Sequence, residues 1–278
     1  MAESAAVESW GSAAGGGSPE VVEVEVWRVA VTPGNVVAAQ EARSVLDEAE
    51  IQRADRFHRA EDRALYQVAH VALRRLLGQR LGLPADALPF RRAACPGCGQ
   101  LHGRPEVASA HPLEFSLSHA DGLAVIALAR HPIGADVERR AAFEKQAGAD
   151  VAGQFHPAER AELAEVARLA PERWTAAALR CWVRKEAYLK GTGMGLGAGL
   201  DLDYVGLGPG YPTPEAVDEA SAAGAPGAAA GAVGPLGWAL RAVAVPPEYD
   251  AAIALRLPPG ATQEAVRVTV NDLDLARG

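Results

Sequence analysis

The chain has 278 residues, 49% of them hydrophobic and 22% charged, which suits a globular protein of one large domain or two small ones with a packed core. A net charge of −8 argues against a general binder of nucleic acid or anionic membrane, whose footprint is basic, so any phosphate site must be built locally. Three cysteines make no disulfide framework, no apolar run approaches the ~20 residues of a membrane span, and the first residues lack a secretory signal, so the expected location is the cytoplasm.

Residues 1–18 are mostly Ala, Gly, Ser and Glu with little to bury, and read as a disordered leader. Residues 21–31 alternate Val and Glu before turning apolar, the period of a half-buried strand. Between 45 and 82 the pattern becomes helical: Leu65, Ala69, Ala72, Leu73, Leu76 and Leu77 recur at three- and four-residue steps, and Gly82 with Pro84 supplies the stop. Strands are expected at 115–118, 123–129 and 133–138, separated by Asp121-Gly122 and His131-Pro132. Helices follow at 157–170 and 171–190, ending at Gly191, and strands return at 238–245 and 251–257. Gly, Pro and Ala dominate 206–237, which reads as a long flexible surface loop. The order predicts an α+β fold of two similar halves: 19–138 and 139–258, followed by a C-terminal tail at 259–278.

The chemistry starts in the third of those strands, Ile133-Gly-Ala-Asp-Val-Glu138. There Asp136 and Glu138 share one face, roughly 7 Å apart, while Val137 turns to the core. Alone, the pair is as well read as two solvated charges. On the following helix Trp182, Glu186 and Lys190 stand at successive i+4 positions, so Glu186 supplies a third carboxylate and Lys190 can hold it or meet a phosphate oxygen. Three carboxylates without His or Cys describe a magnesium site, since that ion prefers oxygen ligands and is commonly shared with substrate phosphates. Ser118 and His119 end a strand at a turn, where hydroxyl, imidazole and backbone N–H groups can bind phosphate or simply cap the structure.

The ordered set Gly134-x-Asp136-Val137-Glu138 and Trp182-x-x-Lys185-Glu186-Ala187-x-x-Lys190, with a Ser-His strand end upstream, resembles the 4′-phosphopantetheinyl transferases of the surfactin-synthetase type. Arg53, Arg56-Phe57 and Asp62 resemble that family's basic N-terminal segment, Gly103-Arg104-Pro105 its Gly-Lys-Pro turn, and residues 155–159 its Phe-x-x-x-Glu segment. The sequence departs from the family at Ser116, often Asn, and at Arg104, usually Lys. The resemblance implies a pseudo-twofold monomer that moves phosphopantetheine from coenzyme A to a serine of an apo acyl or peptidyl carrier protein, releasing adenosine 3′,5′-bisphosphate. It assigns magnesium to Asp136, Glu138 and Glu186, catalysis to Glu186 and Lys190, and coenzyme A contacts to Arg53, Arg56, Arg104, Ser118, His119, Asp136, Lys185 and Lys190. Neither nucleic acid nor membrane is an expected partner. A segment with Arg139, Arg140, Phe143, Lys145 and Phe155 reads as a carrier-docking surface or as a connection whose aromatics belong to the core.

Other readings stand beside this one. Cys95-Pro-Gly-Cys98 with His102, and His111 further on, is either a zinc clip or a tight turn with two free thiols. The glycines at 191, 193, 195, 197 and 199 follow a helix instead of opening one, so they read as a helix stop and a connection rather than a nucleotide loop. A magnesium-dependent nucleotide phosphatase or nucleotidyl transferase would use the same carboxylates, and a non-catalytic carrier-binding module would not need Glu186.

Overall fold

The computed structural model describes residues 21–109, 112–145, 148–195, 199–209 and 235–277; the leader at 1–18, His111 and most of the loop at 206–237 lie outside the described residues. Among the described residues no helix is long and apolar enough to cross a membrane.

The mixed α+β architecture rests on two sheets. The first has the order β4-β5-β1-β9, with β1 (Val22–Ala30) antiparallel to β5 (Leu123–Ala129), and β5 antiparallel to β4 (Glu114–Ala120). The second is the antiparallel set β6-β8-β7, built from β6 (Ile133–Arg139), β8 (Tyr249–Arg256) and β7 (Trp238–Ala242). A separate ribbon pairs β2 (Phe90–Arg92) with β3 (Pro105–Val107). The turn between β4 and β5 is Asp121-Gly122, both at positive φ, the backbone that a two-residue hairpin requires.

The sheets bury their facing surfaces against each other. Val22, Val24 and Val26 of β1, Leu123, Val125 and Ala127 of β5, and Ile133, Ala135 and Val137 of β6 form one apolar cluster with Ile253 and Leu255. The alternate residues of β5, Ala124, Ile126 and Leu128, turn to the opposite side and meet α3 (Ala60–Leu81). Both faces of β5 are therefore covered, which is why it reads as an unbroken apolar run. The second sheet is backed by α7 (Trp174–Thr192), which packs on β6 and β8 through Leu179, Val183, Ala187 and their neighbours. That packing needs Gly134: a Cβ there would overlap the carbonyl oxygen of Ala187 and the amide of Gly191.

Shorter helices fix the corners. α2 (Glu48–Asp55) opens with a capping box between Asp47 and Glu50, and both carboxylates grip the buried Arg74 of α3 at 2.6 Å. α1 (Pro33–Glu41) caps on Thr32. α6 (Pro157–Leu169) begins at His156 with a second capping box that uses Glu159, while α4 (Arg140–Lys145) and α5 (Gly148–Ala152) bridge β6 to α6.

Two sequence expectations change. Residues 259–278 are not simply a tail: β9 (Val266–Asp272) lies parallel to β1 at the edge of the first sheet, and Arg28 holds Asp272 through two bonds at 2.9 and 2.8 Å. The alternation Val266, Val268, Val270 with Arg267 and Thr269 between them carries the strand period. Residues 133–138, placed in the N-terminal half by the sequence reading, instead pair in the second sheet, so the chain changes sheets at the His131-Pro132 turn.

Candidate active site

The site lies where β6 meets α7. Ala135 and Val137 point into the core between the sheets, so the strand's period of two turns Asp136 and Glu138 toward α7. On α7, positions 181, 183 to 185 and 187 to 189 are buried, while Trp182, Glu186 and Lys190 keep partial exposure, forming the i+4 stripe expected from sequence. Glu186 and Lys190 thus converge on Asp136, and Gly134 lets the helix come close enough to do so.

Asp136 is 3% exposed. Its Oδ1 accepts from Lys190 Nζ at 2.6 Å and from Ser118 Oγ at 2.8 Å, and Lys190 also reaches Ser118 Oγ at 3.0 Å. Ser116 Oγ, one pleat repeat along β4, accepts the backbone N–H of Ala135 at 2.9 Å and locks β4 to β6. The second oxygen of Asp136 and Oε1 of Glu186 are buried and have no hydrogen-bond partner. Burial pushes Glu138 up to about 7, with Asp136 and Glu186 adding repulsion against the attraction of Lys190. Glu186 is likewise pushed up to about 7 by burial and then by Asp136. Burial raises Asp136 as well, opposed by Lys190 and Ser118.

Three carboxylates that repel one another, two of them with orphaned buried oxygens, have one lysine between them. Their donor set is all oxygen, which fits a hard divalent cation such as magnesium. Asp136, Glu138 and Glu186 are the residues that would hold it.

Arg53, Tyr66, His70 and His119 form a second group near the end of β4. The ring of His119, although it reaches solvent, is pushed down to about 4, first by lost hydration and then by the positive field of His70, Lys190 and Arg53. Tyr66 and His70 stack with centroids 4.0 Å apart, Arg53 lies over the Tyr66 ring at 5.9 Å, and His70 Nδ1 sits 2.8 Å from Glu50. Sequence reasoning missed Tyr66 and His70. The signal was a polar His70 at i+4 from an aromatic within the apolar run of α3. Arg56 is exposed at the C-terminal end of α2. Arg104 is committed to Glu114 through two bonds at 3.1 and 2.9 Å, next to Gly193 at the end of α7.

One residue expected to contact coenzyme A is held in a buried ion pair. Lys185 is 2% exposed and on the far side of α7 from the stripe: its Nζ pairs with Glu159 at 2.7 Å and donates to the carbonyl of Asp203 at 2.8 Å. Glu159, fully buried, also accepts the amides of Val205 and Gly206. The pair fastens α6 and residues 203–206 to α7. Of the two readings of the segment from Arg139 to Phe155, the burial of Phe143 and Phe155 in the core with α7 agrees with a connection whose aromatics belong to the core. An open groove between α1 and Leu275, with Arg75 at its side, holds none of these carboxylates.

No curated protein matches the chain. Residues 132–209, the stretch that runs from the start of β6 through α7 and contains Asp136, Glu138, Glu186 and Lys190, match the family model ACPS, the 4′-phosphopantetheinyl transferase superfamily. Over that stretch the chain is similar to transferases of phosphopantetheine.

Proposed function

We propose that the protein transfers the 4′-phosphopantetheine arm of coenzyme A to a serine of an apo acyl or peptidyl carrier protein and releases adenosine 3′,5′-bisphosphate. The observation that carries this reading is the convergence of Asp136, Glu138 and Glu186 with Lys190 inside the matched stretch. In the same reading the chain is a surfactin-synthetase-type monomer, its two sheets with α3 and α7 being two similar halves.

When bound, magnesium supplies charge neutralisation to a pyrophosphate and to its departing bisphosphate. Lys190, a partly open ammonium held on Asp136, is placed to meet a phosphate oxygen. Neutral His119 donates one ring N–H to phosphate without adding repulsion to Lys190, and Arg53 contributes charge at the mouth. The serine oxygen attacks phosphorus, the bond to the bisphosphate oxygen breaks, and Glu186 takes the serine proton.

The test is the intact mass of an apo-carrier protein after incubation with the enzyme, magnesium and coenzyme A. A gain of about 340 Da, one phosphopantetheine, is the expected result. Cleavage of coenzyme A without any gain on the carrier would instead mark a nucleotide phosphohydrolase. Glu186→Gln keeps an oxygen ligand but cannot accept a proton, so magnesium binding with lost turnover assigns the base.

A further inference from the structure

The loop between β2 and β3 contains a second cluster, independent of the proposed transfer. Cys95, Cys98 and His102 bring two sulfurs and one imidazole nitrogen within 4.8 Å of one another, and Cys98 Sγ lies 3.0 Å from His102 Nε2. A tetrahedral zinc with Zn–S near 2.3 Å and Zn–N near 2.0 Å separates its ligand atoms by roughly 3.5 to 3.8 Å. The observed spacing is within side-chain reach of that. Cys98 and His102 are exposed, so they can part by the few tenths of an ångström required.

The backbone is already shaped for such an ion. The N–H groups of Gly97 and Cys98 donate to the sulfur of Cys95, which places two dipoles against a thiolate. Gly99 turns through φ +75, and its N–H closes on the carbonyl of Cys95 at 2.8 Å, while Cys95 N–H reaches the carbonyl of Gln100 at 2.7 Å. That folds the chain back so that His102 meets Cys98. Cys181, the remaining cysteine, is buried within α7 and takes no part.

We propose that Cys95, Cys98 and His102 bind one zinc ion through two thiolates and an imidazole, with water in the fourth position. Binding releases the thiol protons to solvent. The ion acts as a clip: Gly97 lies against Met194, Gly193 lies against Pro96 and Arg104, and Gly103 donates to the carbonyl of Ala93 at 2.9 Å. Zinc therefore holds the β2–β3 loop in the shape that packs against the C-terminal end of α7 and that carries Arg104. The sulfur and nitrogen donors here, against the all-oxygen set at Asp136, would let the chain sort two metals by ligand type.

Metal content of the purified full chain, kept reduced and dialysed after equilibration with zinc, tests this directly. One zinc per chain is expected, lost in Cys98→Ser and in His102→Ala, both exposed positions whose change leaves the core intact, and retained in Asp136→Asn. Replacement by cobalt should give thiolate-to-cobalt charge-transfer absorption in the wild type and none in Cys98→Ser. A wild-type chain free of zinc with all its thiols titratable would overturn the proposal. So would a Cys95–Cys98 disulfide that persists in reductant, or zinc kept at the wild-type level in Cys98→Ser or His102→Ala.

Discussion

Glu138 and Glu186 stand near 7 in the folded chain, whereas a carboxylate of this type in an unfolded chain sits at 4.5. Between those values the folded state binds more protons than the unfolded one, so stability falls as pH rises through that window. The metal-free protein should therefore lose melting temperature between about pH 5 and pH 8, and magnesium should restore it most at the upper end, where the carboxylates are charged. Thermal melts across pH with and without magnesium check this, and Glu138→Gln should flatten the metal-free slope. Lys185 makes a contrasting case, because its charge is buried against Glu159 and serves packing. Lys185→Ala should cost on the order of 3 kcal/mol by stranding the Glu159 charge, read as a lower urea midpoint. Lys185 and Glu186 are adjacent in sequence with equal claims to chemistry; only the facing of α7 separates them, and a motif read as a string cannot supply it.

At the scale of elements, the interface of β6 with α7 decides whether the site exists. Gly134→Ala would drive a methyl into the Ala187 carbonyl, and should separate strand and helix at a cost of several kcal/mol with loss of transfer. Circular dichroism melts together with carrier modification would report both effects. Much of this interface was legible in sequence. The two-residue period puts Asp136 and Glu138 on one side, the i+4 stripe aligns Trp182, Glu186 and Lys190, and Asp121-Gly122 marks the hairpin. Less legible was anything set by contact between distant segments. Phe143 and Phe155 carry no local sign of whether they face solvent or α7, and Tyr66 and His70 join the site only because α3 lies beside the end of β4.

Across the whole molecule, the C-terminal segment closes the first sheet rather than trailing from the second. β9 pairs with β1, Leu275 is buried in the cluster under α3, and the N–H of Leu275 reaches Asn35 at 2.8 Å. Truncation after residue 259 should remove on the order of 3 kcal/mol and expose the β1 edge, giving a protein that aggregates on size-exclusion chromatography. A short edge strand whose valines are only half-buried, VRVTVND, carries little apolar weight, and the segment reads as a tail. In the proposed function the carboxylate cluster serves phosphopantetheine transfer. The most direct measurement compares wild type and Asp136→Asn, each with coenzyme A, magnesium and one apo-carrier, by intact mass of the carrier over time. Asn keeps the bond to Ser118 and the volume of the site but removes the charge. The expected result is complete carrier modification by the wild type and a loss of at least about a hundredfold in rate for the variant at unchanged melting temperature. Equal rates for the two proteins would contradict the account.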